Sequence, residues 1–151
     1  MKNKVCDLFS IQYPIIQGAM TWIGTAELAS AVSNAGGLGI VSPWTERGLE
    51  KEIELAKELT NKPFGVNITI MSPNAEEVVS SVIDENITVV TTSVGSPDKF
   101  TKELKNGGVK VVQVVMNVRH ARKAEGAGVD AIVAQGVEAG GHLGPDEITT
   151  L

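Results

Sequence analysis

Short apolar runs rich in β-branched residues recur along this chain at intervals of 21 to 26 residues. Most of them are too continuously apolar for half-exposed antiparallel strands and are typical of parallel strands buried on both faces. Segments with helical periodicity fill the intervals. The pattern predicts an α/β protein with six strands and five helices, the strands lying at Pro14–Gln17, Leu38–Val41, Phe64–Ile68, Thr88–Thr92, Val109–Val115 and Ala131–Ala134.

The helical segments carry start and stop signals of their own. Thr45, Asn74 and Asn117 are predicted N-caps, and Pro97 suits the first position of the fourth helix. Glu77 completes a capping-box pattern with Asn74. The positions predicted to be buried in the first two helices are Leu28, Val32 and Ala35, and then Leu49, Ile53, Ala56 and Leu59.

Two architectures fit this alternation. The 151-residue length suits an open doubly wound sheet, whereas a complete (β/α)₈ TIM barrel typically takes about 250 residues. The first strand, however, lacks the Gly-x-Gly-x-x-Gly turn expected of a dinucleotide-binding open sheet. Polar and glycine residues instead follow several strands, which is how a barrel builds its site. We therefore predict an incomplete barrel of about six strands in one domain, residues 1–151.

Composition narrows the range of functions. The net charge of −5 argues against a nucleic-acid or anionic-membrane surface, and no apolar stretch approaches the length of a membrane span. The lone Cys6 excludes an internal disulfide, and two separate histidines leave no recognisable zinc site. We expect a cytoplasmic protein with a small-molecule substrate, which forms homo-oligomers or associates through its incomplete barrel.

The most distinctive stretch runs from Ala134 to Gly144 and has four glycines around one histidine, His142. It follows an apolar run, so it is predicted to leave the carboxyl end of a buried strand. Glycine permits close approach of the backbone to a ligand, and histidine transfers protons near neutral pH. The pattern predicts one wall of an active site.

Four blocks of the sequence resemble the nitronate monooxygenase family, formerly called 2-nitropropane dioxygenase, which includes the FMN-dependent enoyl-acyl-carrier-protein reductases. They occur in the family's order at residues 13–20, 33–39, 62–67 and 138–142. The resemblance implies a TIM barrel with FMN across its carboxyl-end face. It also implies that Gly18, Ala19, Met20, Asn67, Gln135, Gly140 and Gly141 bind the cofactor and that His142 is catalytic.

The resemblance further implies that two strands, the seventh and eighth, lie outside these 151 residues. Loops after those strands would hold the FMN phosphate, as in many barrels. We therefore expect the chain alone to bind FMN weakly or not at all. A fragment, a truncated gene product and one piece of a larger enzyme all fit the sequence.

Three functions fit the sequence. The leading one is FMN-dependent oxidation of alkyl nitronates or nitroalkanes by oxygen, with His142 moving the proton. The second is FMN-dependent enoyl-acyl-carrier-protein reduction by NADH or NADPH. The third is an inactive remnant of such an enzyme.

Overall fold

The computed structural model describes residues 3–141, and within them one parallel sheet is covered by helices. The strands are Gly39–Val41 (β1), Phe64–Thr69 (β2), Val89–Ser93 (β3), Lys110–Val115 (β4) and Ala131–Ala134 (β5). The α-helices are Lys4–Phe9 (α1), Ala26–Asn34 (α2), Leu49–Leu59 (α3), Ala75–Asp84 (α4), Thr101–Asn106 (α5) and Val118–Gly126 (α6), and a 3₁₀ turn spans Pro97–Lys99.

The strands follow one another in the sheet in chain order, each parallel to the next. A doubly wound sheet reverses its strand order about a central strand, so this order excludes that architecture for the described residues and fits an incomplete barrel. The strand predicted at Pro14–Gln17 is not formed. Its place is taken by a parallel bridge between Ile16 and Leu38, with one hydrogen bond on each side.

Two separate apolar clusters bury the two faces of the sheet along β1 to β4. The larger cluster fills the layer between the sheet and the helices and includes Val41, Val66, Val90 and Val111. The smaller cluster lies on the opposite face, and its buried members are Phe9, Leu38, Ile40, Val89 and Val112. Phe9 belongs to α1, a helix that the sequence analysis did not predict. Burial on both faces explains why the strands read as continuous apolar runs.

The three predicted N-caps have different outcomes in the structure. Thr45 is not an N-cap, because α3 begins at Leu49 behind Gly48. Asn74 stands at the N-cap of α4, but its side chain accepts from the Ser72 hydroxyl instead of capping the helix. Asn117 is confirmed as a cap, since its Oδ1 accepts from the His120 backbone N–H at 2.8 Å.

The buried face of α2 also differs from the prediction. Its buried residues are Ala26, Ala29, Ser30 and Ser33, whereas Leu28 and Val32 are only half-buried and Ala35 is exposed. Small residues face β1 because the helix approaches that strand very closely. In the residues described, no helix is long and apolar enough to cross a membrane.

Candidate functional site

The segment after the Ile16 bridge is held by one side chain, that of Gln17. Its Oε1 accepts from the Ile40 backbone N–H at 3.2 Å, and its Nε2 donates to the Ile40 carbonyl at 3.1 Å. The same Nε2 also donates to the Gly18 carbonyl at 2.6 Å. The amide thus replaces missing strand pairing and fixes Gly18 beside the carboxyl half of β1. Sequence reasoning missed Gln17, whose only signal was a polar amide at the end of an apolar run.

Asn67 and Thr91 meet across neighbouring strands of the sheet. They are partners in the β2–β3 register, and the Thr91 hydroxyl donates to Asn67 Oδ1 at 3.0 Å. The Asn67 amide nitrogen makes only a long contact of 3.5 Å with Thr69 Oγ1. Because its oxygen is engaged, Asn67 presents N–H donors from the face that also carries Ile40 and Val89. A ligand with carbonyl-type acceptors fits such donors.

The three polar residues at the end of β3 have different surroundings. Thr91 is directed to Asn67, whereas Thr92 is buried on the other side and donates to Gln113 Oε1 at 2.7 Å. Adjacent residues of a strand face opposite sides of the sheet, which accounts for the difference. By the same alternation Ser93 lies on the face of Thr91, and of the three residues Thr91 is the one that hydrogen-bonds to Asn67.

The loop that carries Met20 is anchored to the loop that follows β1. The backbone N–H of Trp22 donates to the Trp44 carbonyl at 2.8 Å, and that of Ser42 donates to the Gly24 carbonyl at 2.7 Å. Met20 and Trp22 remain exposed. These cross-links hold the exposed apolar side chains of Met20 and Trp22 in place as a rim at the carboxyl end of the sheet.

A charged cluster supports this rim from outside. Glu52 is buried, with 1% of its surface exposed, and its Oε2 accepts from the Ala26 backbone N–H at the start of α2 at 2.6 Å. Arg47 donates to Glu52 at 3.0 Å and to Glu27 at 2.5 Å. The hydrogen bond from Arg47 lowers the pKa of Glu27 from 4.5 to about 2. The cluster fixes the start of α2 to α3.

Two of the predicted glycines have no structural reason to be glycine within residues 3–141. A Cβ added at Gly18 or Gly140 would meet no heavy atom within 4 Å, and neither residue has a positive φ. The open space beside Gly18 suits a flat ligand lying against the backbone, and Asn67 presents its N–H donors two strands away in the same sheet. This geometry fits the isoalloxazine ring of a flavin.

Apart from Ala19, the remaining predicted site residues follow β5. The backbone N–H of Gln135 donates to the Val115 carbonyl at 2.8 Å and continues the β4–β5 pairing. Gly136 and Ala139 form a turn, and Gly141 has a φ of 81°, a conformation that favours glycine. Ala19 is half-buried against the inner apolar cluster. His142, the predicted catalytic residue, lies outside the described residues.

Comparison with known proteins decides the family. The family model described as nitronate monooxygenase matches residues 2–88 and 69–151. The chain belongs to the nitronate monooxygenase family. This agrees with the four sequence blocks and with the incomplete barrel, because solved relatives are TIM-barrel enzymes. The family's enzymes are flavin oxidoreductases that depend on FMN.

Individual relatives divide between several activities. FabK from Thermotoga maritima is 45% identical, with a TM-score of 0.93 over 97% of this chain and 48% of its own. A Rhodococcus jostii hydroxy-methyl-oxo-octahydroindene-carboxyl-CoA dehydrogenase is 35% identical over 100% of this chain and 43% of its own. A probable nitronate monooxygenase of Staphylococcus aureus is 33% identical over 95% of this chain and 51% of its own. The chain spans about half the length of these relatives.

Proposed function

We propose that this chain forms the flavin-ring half of an FMN-dependent oxidoreductase that acts on an acyl thioester, in the manner of an enoyl reductase. We choose this substrate class because of the chain's sequence identity to its relatives. Identity is 45% with FabK, an enoyl-acyl-carrier-protein reductase, and 35% with a CoA-thioester dehydrogenase, against 33% with the nitronate monooxygenase. The substrate is then a small or carrier-bound thioester and the reductant is NADH or NADPH.

The predicted site residues and their neighbours have distinct roles in this proposal. Gly18, Ala19 and Met20 would lie against the isoalloxazine ring, held there by Gln17. Asn67, oriented by Thr91, would donate a hydrogen bond to a carbonyl oxygen of the ring. Gln135, Gly140 and Gly141 would form the opposite wall, and His142 would hold or deliver the proton at the substrate carbon. FMN, when bound, supplies the two-electron chemistry.

The proposal requires a complete barrel, meaning this chain together with residues that supply the seventh and eighth strands. In the described residues β5 has no partner on its outer edge, and its Ile132 and Val133 are exposed. Exposed apolar strand edges promote association. The missing strands would be supplied by a continuation of the chain or by association with another polypeptide, and their loops would bind the FMN phosphate.

Nitronate oxidation is the second candidate, because a nitronate monooxygenase is matched over 95% of this chain. Stopped-flow spectroscopy of the complete barrel separates the two. Bleaching of the flavin by NADH or NADPH, followed by reoxidation on adding crotonyl thioester, supports the proposal. Oxygen consumption with propyl-2-nitronate and no bleaching by either nicotinamide would instead establish nitronate oxidation.

His142→Ala tests the assigned proton-transfer role in the same assay. We expect turnover to fall by about 10²–10⁴-fold, the usual range for a positioned acid or base. The flavin content should stay near that of the wild type, because the ring contacts lie elsewhere. Wild-type turnover in this variant would remove His142 from the reaction. Loss of flavin together with turnover would assign it to cofactor binding.

A further inference from the structure

A groove of about 450 Å³ opens at the carboxyl ends of β3 and β4. The loop 94–97 forms one wall and residues 113–116 form its base. The opposite wall comes from α6 and presents Arg119, His120 and Lys123. The groove therefore combines an apolar floor with three basic side chains, in a chain whose net charge is −5.

Two of the basic side chains are available to a ligand. Lys123 pairs with Asp98 at 3.2 Å, and Asp98 also accepts from the Ser96 hydroxyl at 2.8 Å. Arg119 and His120 are exposed, and neither side chain has an ion-pair or hydrogen-bond partner within residues 3–141. Because Lys123 neutralises the nearby carboxylate, Arg119 leaves a net positive charge in the groove at neutral pH. An anion is the ligand that this charge selects.

The position of the groove indicates which anion it can take. If the Ile16 bridge marks the first barrel strand, β3 and β4 are the fourth and fifth. The phosphate site common to barrels follows strands seven and eight, on the far side of an eight-stranded ring. The groove therefore suits an anion other than the flavin phosphate. It starts three residues beyond Thr91, about 10 Å along an extended chain.

We propose that this groove binds the phosphate of a phosphopantetheine arm, the carrier shared by coenzyme A and acyl carrier protein. This inference rests on the proposed acyl-thioester function. Arg119 would form a charge-assisted hydrogen bond with the phosphate. Val94, Pro97, Val114 and Met116 would contact the methyl groups and methylenes of the arm. The thioester carbon would then extend past Thr91 toward the flavin ring.

Calorimetric titration of the complete barrel with phosphopantetheine and with pantetheine tests the groove directly. We expect the phosphorylated compound to bind about 10- to 100-fold more tightly, as one or two hydrogen bonds to a charged group provide. Arg119→Gln should reduce that preference to less than about threefold. Arg122→Gln is the matched control, because Arg122 lies on the same helix but lines a different groove with Glu125 and Val129. It should keep the wild-type preference.

These titrations, together with KM measurements, separate the groove assignment from the proposed function. Equal binding of the two compounds by the wild-type protein, or an unchanged preference in Arg119→Gln, would overturn the groove assignment. Reduction of crotonyl-pantetheine and crotonyl-phosphopantetheine with the same KM would also overturn it while the proposed function stands. An Arg119-dependent preference without any thioester reduction would support the groove and reject the proposed activity.

Parallel titrations with coenzyme A and with phosphopantetheinylated acyl carrier protein distinguish the two sources of the arm. If adenosine 3′,5′-bisphosphate competes with coenzyme A, the groove binds the nucleotide phosphates and the pantetheine assignment is wrong. Absence of that competition, together with Arg119-dependent binding of the carrier protein, supports the pantetheine assignment.

Discussion

Gly39 begins β1 and Gly18 lies beside that strand, but the two glycines serve different parts of the molecule. A Cβ at Gly39 would lie 1.9 Å from the Ala29 carbonyl oxygen, whereas a Cβ at Gly18 would meet nothing within 4 Å. The packing of α2 on β1 therefore requires the first glycine. No described residue requires the second. Glycines that the fold does not use, at the carboxyl ends of strands, indicate where a ligand lies.

Of the substitutions that test this comparison, Gly39→Ala should have the largest effect, and the effect is a loss of stability. The added methyl group collides with backbone, which cannot rotate away, so α2 must separate from β1. We expect a loss of about 3 kcal/mol or more in the free energy of unfolding. Urea denaturation of the complete barrel, followed by circular dichroism, measures it. Gly126→Ala is the control, because that position near the end of α6 has open space and should change stability by less than about 1 kcal/mol.

Gly18→Val tests the other side of the comparison. The side chain has room in the protein but would occupy the space assigned to the flavin ring. We expect the FMN dissociation constant to rise about tenfold or more, equivalent to about 1.4 kcal/mol. The melting temperature of the flavin-free protein should change by no more than about 2 °C, as for a surface substitution. A stability loss without a change in FMN affinity would make Gly18 a structural glycine like Gly39.

Thr91→Val and Thr92→Val sharpen the comparison on a single strand. Loss of the Thr91 hydroxyl releases Asn67, so FMN affinity should fall about two- to tenfold, the contribution of one neutral hydrogen bond. Thr92→Val removes a buried bond to Gln113 and should lower stability while FMN affinity stays unchanged. Flavin fluorescence titration and thermal unfolding of both variants separate these effects. Equal effects on FMN affinity would show that the two faces of β3 are not distinct.

The smallest predicted effect is that of Glu27→Gln on stability at different pH values. Glu27 has a native pKa of about 2 against an ordinary 4.5, so its ion pair with Arg47 stabilises the protein above pH 4.5. That contribution disappears as the pH falls from 4.5 toward 2. Because Glu27 is exposed to solvent, we expect a difference of no more than about 1 kcal/mol between wild type and Glu27→Gln. Urea unfolding at pH 7, 4 and 2.5 should show the two proteins converging at low pH.

Much of the sheet could be predicted from sequence because burial on both faces leaves a simple signal. The runs around Val41, Val66, Val90 and Val112 are continuously apolar, and each became a strand. The segment around Ile16 has the same composition but forms only a bridge. Strand formation also requires backbone pairing with a neighbour over several successive residues, and composition carries no information about that pairing.

The site was predictable in its backbone features and less so in its side-chain contacts. Glycine loops and Asn67 stood out because a buried amide or an unexplained glycine needs a reason. Thr91 and Thr92 are chemically identical, so only the register of β3 decides which one faces Asn67. Nothing in the sequence distinguishes Glu52 from Glu50 and Glu54 on the same helix. Its burial depends on the N-terminus of α2, 26 residues earlier in the chain.

The narrow bridge at Ile16 has a consequence for hydrogen exchange. Two backbone bonds and the Gln17 amide hold this segment, whereas β2 and β3 are paired along five positions. Local opening should therefore expose the Gln17 N–H to exchange with solvent deuterium long before the amides of Val66 or Val90. A ring bound against Gly18 would slow exchange there first. The weakest-protected part of the sheet is thus the part that would report cofactor binding.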